Sequence, residues 1–285
     1  MRRLALLVVL GVLVLSALAC GRGPKPSPAE VAAVRVATLP TAPDDPVWKD
    51  APVHTTVLLL QDLVEPRMTV PSTPEMRIQA ATDGATIAFR LSWDDGSADD
   101  VVAPARFADA CAVQLPAALD RDLPAPQMGE PGRSVEIVYW RASWEAWAAG
   151  RADDIHSLYP NTATPHYPQE AASLAPGSPE QVAMANRYNP ARGLGNVMEG
   201  PRTRSVQDMV AEGPGTSRPA LEQRATGAGK RGENGWQVLL ARPLPRGLER
   251  GGRTQVAVAV WQGADREVGA RKMRSAWIPL SVAEE

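Results

Sequence analysis

Met76-Arg-Ile-Gln-Ala-Ala-Thr-Asp-Gly-Ala-Thr-Ile-Ala-Phe-Arg-Leu-Ser-Trp93 reads as two strands joined by a tight turn. Apolar residues fall at every second position: Met76, Ile78 and Ala80 before the turn, and Ile87, Phe89, Leu91 and Trp93 after it. A two-residue period puts such residues on one face of a pleated strand. Asp83-Gly84 between the runs is a hairpin signal, because both residues tolerate the positive φ a tight turn requires. Asp94-Asp-Gly96 then turns the chain again.

The same pattern continues outward. Glu30 to Leu39 reads as a lead-in strand, and Val53 to Leu63, Cys111 to Leu115, Ser134 to Trp140 and Gly235 to Arg242 as further strands. Val256-Ala-Val-Ala-Val-Trp261 is a buried strand, followed by a charged Gly/Asp turn and a second short strand ending at Trp277. Pro43 to Pro52 is turn-rich, with Trp48 placed to cap a core. Only Arg141 to Ala149 suggests a helix, which would put Trp140, Trp144 and Trp147 on one face, a spacing typical of core packing. Gly150 to Gly235 is polar, Pro/Gly/Asn-rich and aperiodic, an excursion of the kind that carries function or an interaction. The implied fold is an all-β antiparallel β-sandwich with a long irregular insertion and few short helices.

A chain of 285 residues holds one large or two small domains, and its net charge of -2 argues against a nucleic-acid partner. Met1-Arg2-Arg3 and the apolar run Leu4 to Leu18 read as an export signal, too short for a comfortable membrane span. Leu15-Ser-Ala-Leu-Ala-Cys20 followed by Gly/Pro/Ser-rich sequence looks like a bacterial lipoprotein signal, with Cys20 as the lipidation site. Ala17 stands where the usual pattern has Leu, so plain signal cleavage and an uncleaved anchor stay open. Residues 1–19 are thus assigned to the signal, 20–40 to a flexible tether and 41–285 to the exported domain. With Cys20 lipidated, Cys111 is left without a disulfide partner, and its apolar neighbours suit a small buried hydrophobe.

Hydrolytic and nucleotide motifs are missing: there is no G-x-S-x-G, P-loop, dinucleotide fingerprint or H-E-x-x-H. The absence of C-x-x-C-H excludes covalent c-type haem. Histidine is limited to His54, His156 and His166, without the spacing of a zinc or copper site. Asp94-Asp95 and Asp99-Asp100 could offer oxygens to calcium, although most such pairs are solvated turns. Two residues are unusual. Met128 lies in Pro124-Ala-Pro-Gln-Met-Gly-Glu-Pro-Gly132, on a rigid loop rather than inside an element. Lys272 is one of four lysines in an arginine-rich chain, between Arg271 and a hydrophobic strand. An ammonium placed there must be paired, snorkel, or lose its proton and become a nitrogen ligand. A turn methionine and a paired lysine fit these residues as well.

Several blocks, taken in order, resemble the haem-binding gamma subunits of periplasmic molybdenum oxidoreductases, the group that includes the ethylbenzene, dimethyl sulfide and selenate/chlorate-converting enzymes and nitrite oxidoreductase. They are Asp45-Pro-Val-Trp48, Ile87 to Asp95, Asp109-Ala-Cys-Ala-Val-Gln-Leu-Pro116, Met128-Gly-Glu-Pro-Gly132 with Val135 to Ala142, Gly195-Asn196, Val210 to Thr216, Gly235-Trp-Gln-Val238 with Ala241 to Leu244, and Val258 to Gly263 with Arg271-Lys272. Leu115 and Ala270 depart mildly from the pattern. The resemblance implies a β-sandwich over residues 41–285 that holds one non-covalent haem b. It makes Met128 and Lys272 the axial iron ligands, with Met273 as runner-up to Lys272. It also implies a subunit without bond-making chemistry, passing electrons between an iron–sulfur subunit, wired to a molybdopterin catalytic subunit, and an external carrier such as cytochrome c. The location implied is the periplasm, with a lipid anchor to the membrane. A haem-free carbohydrate- or ligand-binding lipoprotein, using Trp rings as sugar platforms, is the rival expectation.

Overall fold

The computed structural model describes residues 27–283 apart from 120–121, 153–155, 157–158, 163–172, 176, 195, 197–201 and 249–250. Cys20 and His166 lie outside the described residues. The alternating hairpin forms as read: β4 (Glu75–Thr82) pairs antiparallel with β5 (Thr86–Asp94), with Gly84 at φ +92° in the turn. β5 pairs along its whole length with β11 (Gly235–Pro243), and β11 with β10 (Thr226–Arg231). On the other side of β4 lie β2 (His54–Val57) and β1 (Val31–Arg35), and next to β1 lies β14 (Ile278–Val282). β1 lies within the stretch assigned to a tether, and it runs parallel to both β4 and β14. The sandwich is therefore mixed at that strand and antiparallel elsewhere.

The second layer is built from β6 (Ala110–Pro116), β7 (Val135–Arg141), β8 (Val206–Ala211) and the short β9 (Arg218–Pro219). β12 (Arg253–Trp261) joins the layers. Its first half pairs with β14, and from Ala257 onward it pairs with β6 and with β13 (Met273–Arg274), which in turn meets β3 (Leu59–Leu60). One strand switching sheets in this way makes a sandwich corner.

Between the layers Phe89, Leu91 and Trp93 of the first sheet meet Cys111, Val113, Leu115, Val138 and Trp140 of the second. Trp140 contacts Trp236 edge-on at 5.1 Å between ring centroids and Trp93 at 6.5 Å. Such pairs add about 1 kcal/mol each beyond area burial. The layers approach this closely because β10 carries glycines: a Cβ on Gly229 would lie 2.2 Å from the Trp140 ring, and one on Gly227 2.4 Å from Val206. This corrects the expectation of a structureless Gly150 to Gly235. Its second half supplies β8, β9 and β10, and its first half includes helix Pro179–Tyr188. The short helix over Ala142–Ala148 also forms, but Trp140 precedes it on β7, so the three tryptophans do not share one helical face. Trp48 is buried and, with Ala51, covers the outer face of the first sheet.

Candidate functional site

Strand periodicity gives the second sheet two unlike faces. On β12, Val256, Val258 and Val260 point into the core, while Ala257, Ala259 and Trp261 point outward. On β6 the outward residues are Ala112 and Gln114, and on β7 Ile137, Tyr139 and Arg141. Small alanines in the middle strands, flanked by Ile137, Tyr139 and Trp261, make a flat apolar floor. The Gln61–Val64 loop, the Met128 loop, the Pro214–Ser217 turn and the Val268–Lys272 turn wall it in, leaving a cavity of about 450 Å³. That volume lies in the range of small-molecule and cofactor sites.

Met128 is presented by its loop at φ +70°, a left-handed conformation uncommon for a side-chain-bearing residue, and Gly129 follows at φ +81°. The loop is pinned on several sides. Gln114 Nε2 donates to Pro126 O at 3.1 Å, Trp277 Nε1 to Pro124 O at 2.7 Å, and Gly213 N to Met128 O at 2.8 Å. Gly129 is needed for close approach, because a Cβ there would lie 2.8 Å from Arg133 O and 3.1 Å from Ala211 O. Strained backbone held by its surroundings clusters at functional sites.

Lys272 comes from the opposite wall, and only 8% of it is exposed. Its Nζ lies 3.3 Å from Met128 Sδ and 5.0 Å from the centre of the Trp261 ring. A thioether is a weak acceptor, and among the described residues no carboxylate pairs with this ammonium. Burial lowers its pKa from 10.5 to about 8, with the neighbouring Arg274 charge adding to the effect. The turn that carries it is fixed by Gln61, whose backbone N donates to Lys272 O at 3.3 Å and whose Nε2 donates to Ala270 O at 3.0 Å. Trp261 Nε1 donates to Gly269 O at 3.0 Å. The two residues singled out in the sequence, 144 positions apart, thus meet in one cavity.

The other candidates fall elsewhere. Met273 is 1% exposed and packs in the inter-sheet core, because adjacent strand residues face opposite ways. Cys111 is likewise in the core, where burial pushes its thiol pKa well up. His54 binds Pro28 O through Nδ1 at 2.7 Å, away from the cavity. No group of three or more His, Cys, Asp or Glu among the described residues could hold a metal ion by itself. Asp95 and Asp99 belong instead to a network around Asp109, which is fully buried and accepts from Gly263 N and Asp99 N at 2.8 Å and Trp236 Nε1 at 2.9 Å. Burial raises the Asp109 pKa to about 7. Gln61 carries no motif, and Asp109 opens one of the family-like blocks without a role being read for it. Of the eight tryptophans six are buried, Trp261 among them at the cavity floor, and Trp147 and Trp277 are half-buried.

The sequence profile described as ethylbenzene dehydrogenase matches residues 45–273, a span that includes both Met128 and Lys272. The chain belongs to that family. Among its relatives is a Haloferax mediterranei protein described as a respiratory nitrate reductase haem subunit, 24% identical over 248 residues, covering 84% of this chain and 67% of the relative. Another is the chlorate reductase subunit gamma of Ideonella dechloratans, 23% identical over 236 residues, covering 79% of this chain and 72% of that protein. Among solved structures, a family 9 carbohydrate-binding module from Caldicellulosiruptor kristjanssonii aligns with 90% of the chain at 7% identity and a TM-score of 0.43. A carbohydrate-binding protein from Bacteroides uniformis aligns with 88% of it at 8% identity and a TM-score of 0.41. No helix among the described residues is long and apolar enough to cross a membrane.

Proposed function

We propose that this member of the ethylbenzene dehydrogenase family is an electron-transfer subunit that binds one haem b in the cavity on the second sheet, with Met128 and Lys272 as axial ligands. The observation that carries the reading is the contact, in an apolar cavity, of a thioether with a nearly buried amine that has no carboxylate partner among the described residues. The residues present fit the group. Burial brings the amine closer to the neutral form that ligation requires, and the alanine floor offers a flat surface to a planar ring. The relatives' haem-subunit and gamma-subunit names point the same way. Both side chains are unbranched, so their 3.3 Å contact would open by rotamer changes to admit the iron that they would hold.

A bound haem supplies a one-electron iron couple, and the protein's residues set its environment. As a ligand the Met128 thioether would favour the reduced metal and raise the potential. Ile137, Tyr139 and Trp261 exclude water from the floor, while Gln61 and the Pro124–Gly132 loop hold the two ligands in place. Attachment in this reading is non-covalent. The partners that suit such a subunit are an iron–sulfur subunit with its molybdopterin catalytic subunit on one side and an external carrier such as cytochrome c on the other. Export to the periplasm and lipid anchoring at Cys20 complete the reading. Expression with haem supply, followed by acid-acetone extraction, tests it. A Soret band and extractable protohaem are expected, and a colourless protein would overturn the reading.

A further inference from the structure

We propose that Arg274 is the anion-binding residue of this cavity and takes a carboxylate of the bound ligand, which for haem is a propionate. The inference rests on the haem reading above and adds the orientation of the ligand. Among the described residues that line the cavity three are basic, Arg141, Lys272 and Arg274, and none is acidic. Such a lining is complementary to an apolar ligand with a negatively charged end. Lys272 is occupied by the reading above, which leaves the two arginines.

Arg274 stands on β13 opposite Ala259 of the cavity floor, two residues after Lys272, so it projects from the floor's face of the sheet. Among the described residues its side chain has no hydrogen bond or ion pair, and its Nε is fully buried with no partner. The nearby carboxylate of Asp62 acts on it only through its field. Buried donors without acceptors are rare in folded proteins and call for an explanation. A guanidinium held in this way, half-buried beside an apolar floor, has the donor fork that matches a carboxylate. Arg141 stands on β7. The order β13, β12, β6, β7 places it three strand spacings away, roughly 14 Å at the backbone, too far to serve the same end of the ligand by default.

The test compares protohaem with its dimethyl ester, in which both carboxylates are masked. Each is titrated into the ligand-free full chain, and affinity is read from the Soret change. The wild type is expected to bind the ester about tenfold or more weakly than the free acid, the loss of one charge-assisted hydrogen bond. Arg274→Gln is expected to bind the free acid as weakly as the ester, with the low-spin spectrum intact because Met128 and Lys272 remain. Arg274→Lys keeps the charge and should retain part of the discrimination, which separates a lost anion contact from a damaged fold. Arg141→Gln should discriminate as the wild type does. Equal binding of acid and ester by the wild type, or discrimination lost in Arg141→Gln and kept in Arg274→Gln, overturns the assignment while the haem reading stands. Failure of the wild type to bind either compound overturns both.

Discussion

Replacing Lys272 by methionine should make the ligand-free protein more stable at neutral pH. The lysine amine has a pKa of about 8 in the folded chain, against 10.5 for an ordinary lysine, with burial the larger cause and the Arg274 charge the smaller. Keeping that ammonium charged in the folded state therefore costs on the order of 3 kcal/mol below pH 8. Methionine has a similar unbranched length and removes that cost. It also gives up the contact with the Trp261 ring, worth about 1 kcal/mol. The net gain expected is about 2 kcal/mol, or roughly 4–8 °C in unfolding temperature for a domain of this size. The sign follows from proton counting. Between pH 8 and 10.5 the unfolded chain binds more protons at Lys272 than the native one, so the native state gains stability as pH rises through that window. The advantage of Lys272→Met should be full at pH 7, shrink above pH 8 and close near pH 10.5. Thermal unfolding of both proteins across this range measures it, and the difference between them cancels other titrating groups. A variant less stable than the wild type at pH 7, or a pH-independent gap, would refute the reasoning.

Other substitutions test the rest of the site. Gly129→Ala combines a positive φ with a Cβ 2.8 Å from Arg133 O, and should cost about 1–3 kcal/mol in denaturant unfolding while lowering haem content. Ala259→Leu adds bulk to the cavity floor. It should leave the folded circular dichroism spectrum unchanged and reduce haem uptake at least tenfold, and normal uptake would place the ligand elsewhere. Asp109→Ala strands the three donors of Gly263, Asp99 and Trp236 and should cost about 2–4 kcal/mol by urea titration. Cys111 should resist thiol reagents in the native protein and react once it is unfolded, because its thiol is fully buried.

Much of the fold was legible because local pattern and tertiary demand agree. Ile87, Phe89, Leu91 and Trp93 alternate, and all four reach the inter-sheet core. β10 was hidden for the opposite reason. Thr226-Gly-Ala-Gly-Lys-Arg231 has the composition of a turn, and its glycines are required because Trp140 and Val206 occupy the space a side chain would take. The parallel pairing of β1 was also out of reach, since Val31 lies opposite Leu280 at the far end of the chain. At the site, the rarity of lysine and the placement of Met128 on a Pro/Gly loop marked both residues. The Val/Ala alternation of β12 carried more than was read from it. Both residue types are apolar, so the run looked like one buried strand, while the alanines mark the cavity face. Gln61 shows no signal at all, because its role consists of hydrogen bonds to the backbone around Lys272.

The most direct test of the central claim is the optical spectrum of the haem-loaded protein beside those of Met128→Ala and Lys272→Ala. The wild type should be low-spin in both oxidation states, and each variant should lose or shift that spectrum while keeping bound haem in at least one case. Spectra identical to the wild type in both variants would show that neither residue ligates the iron.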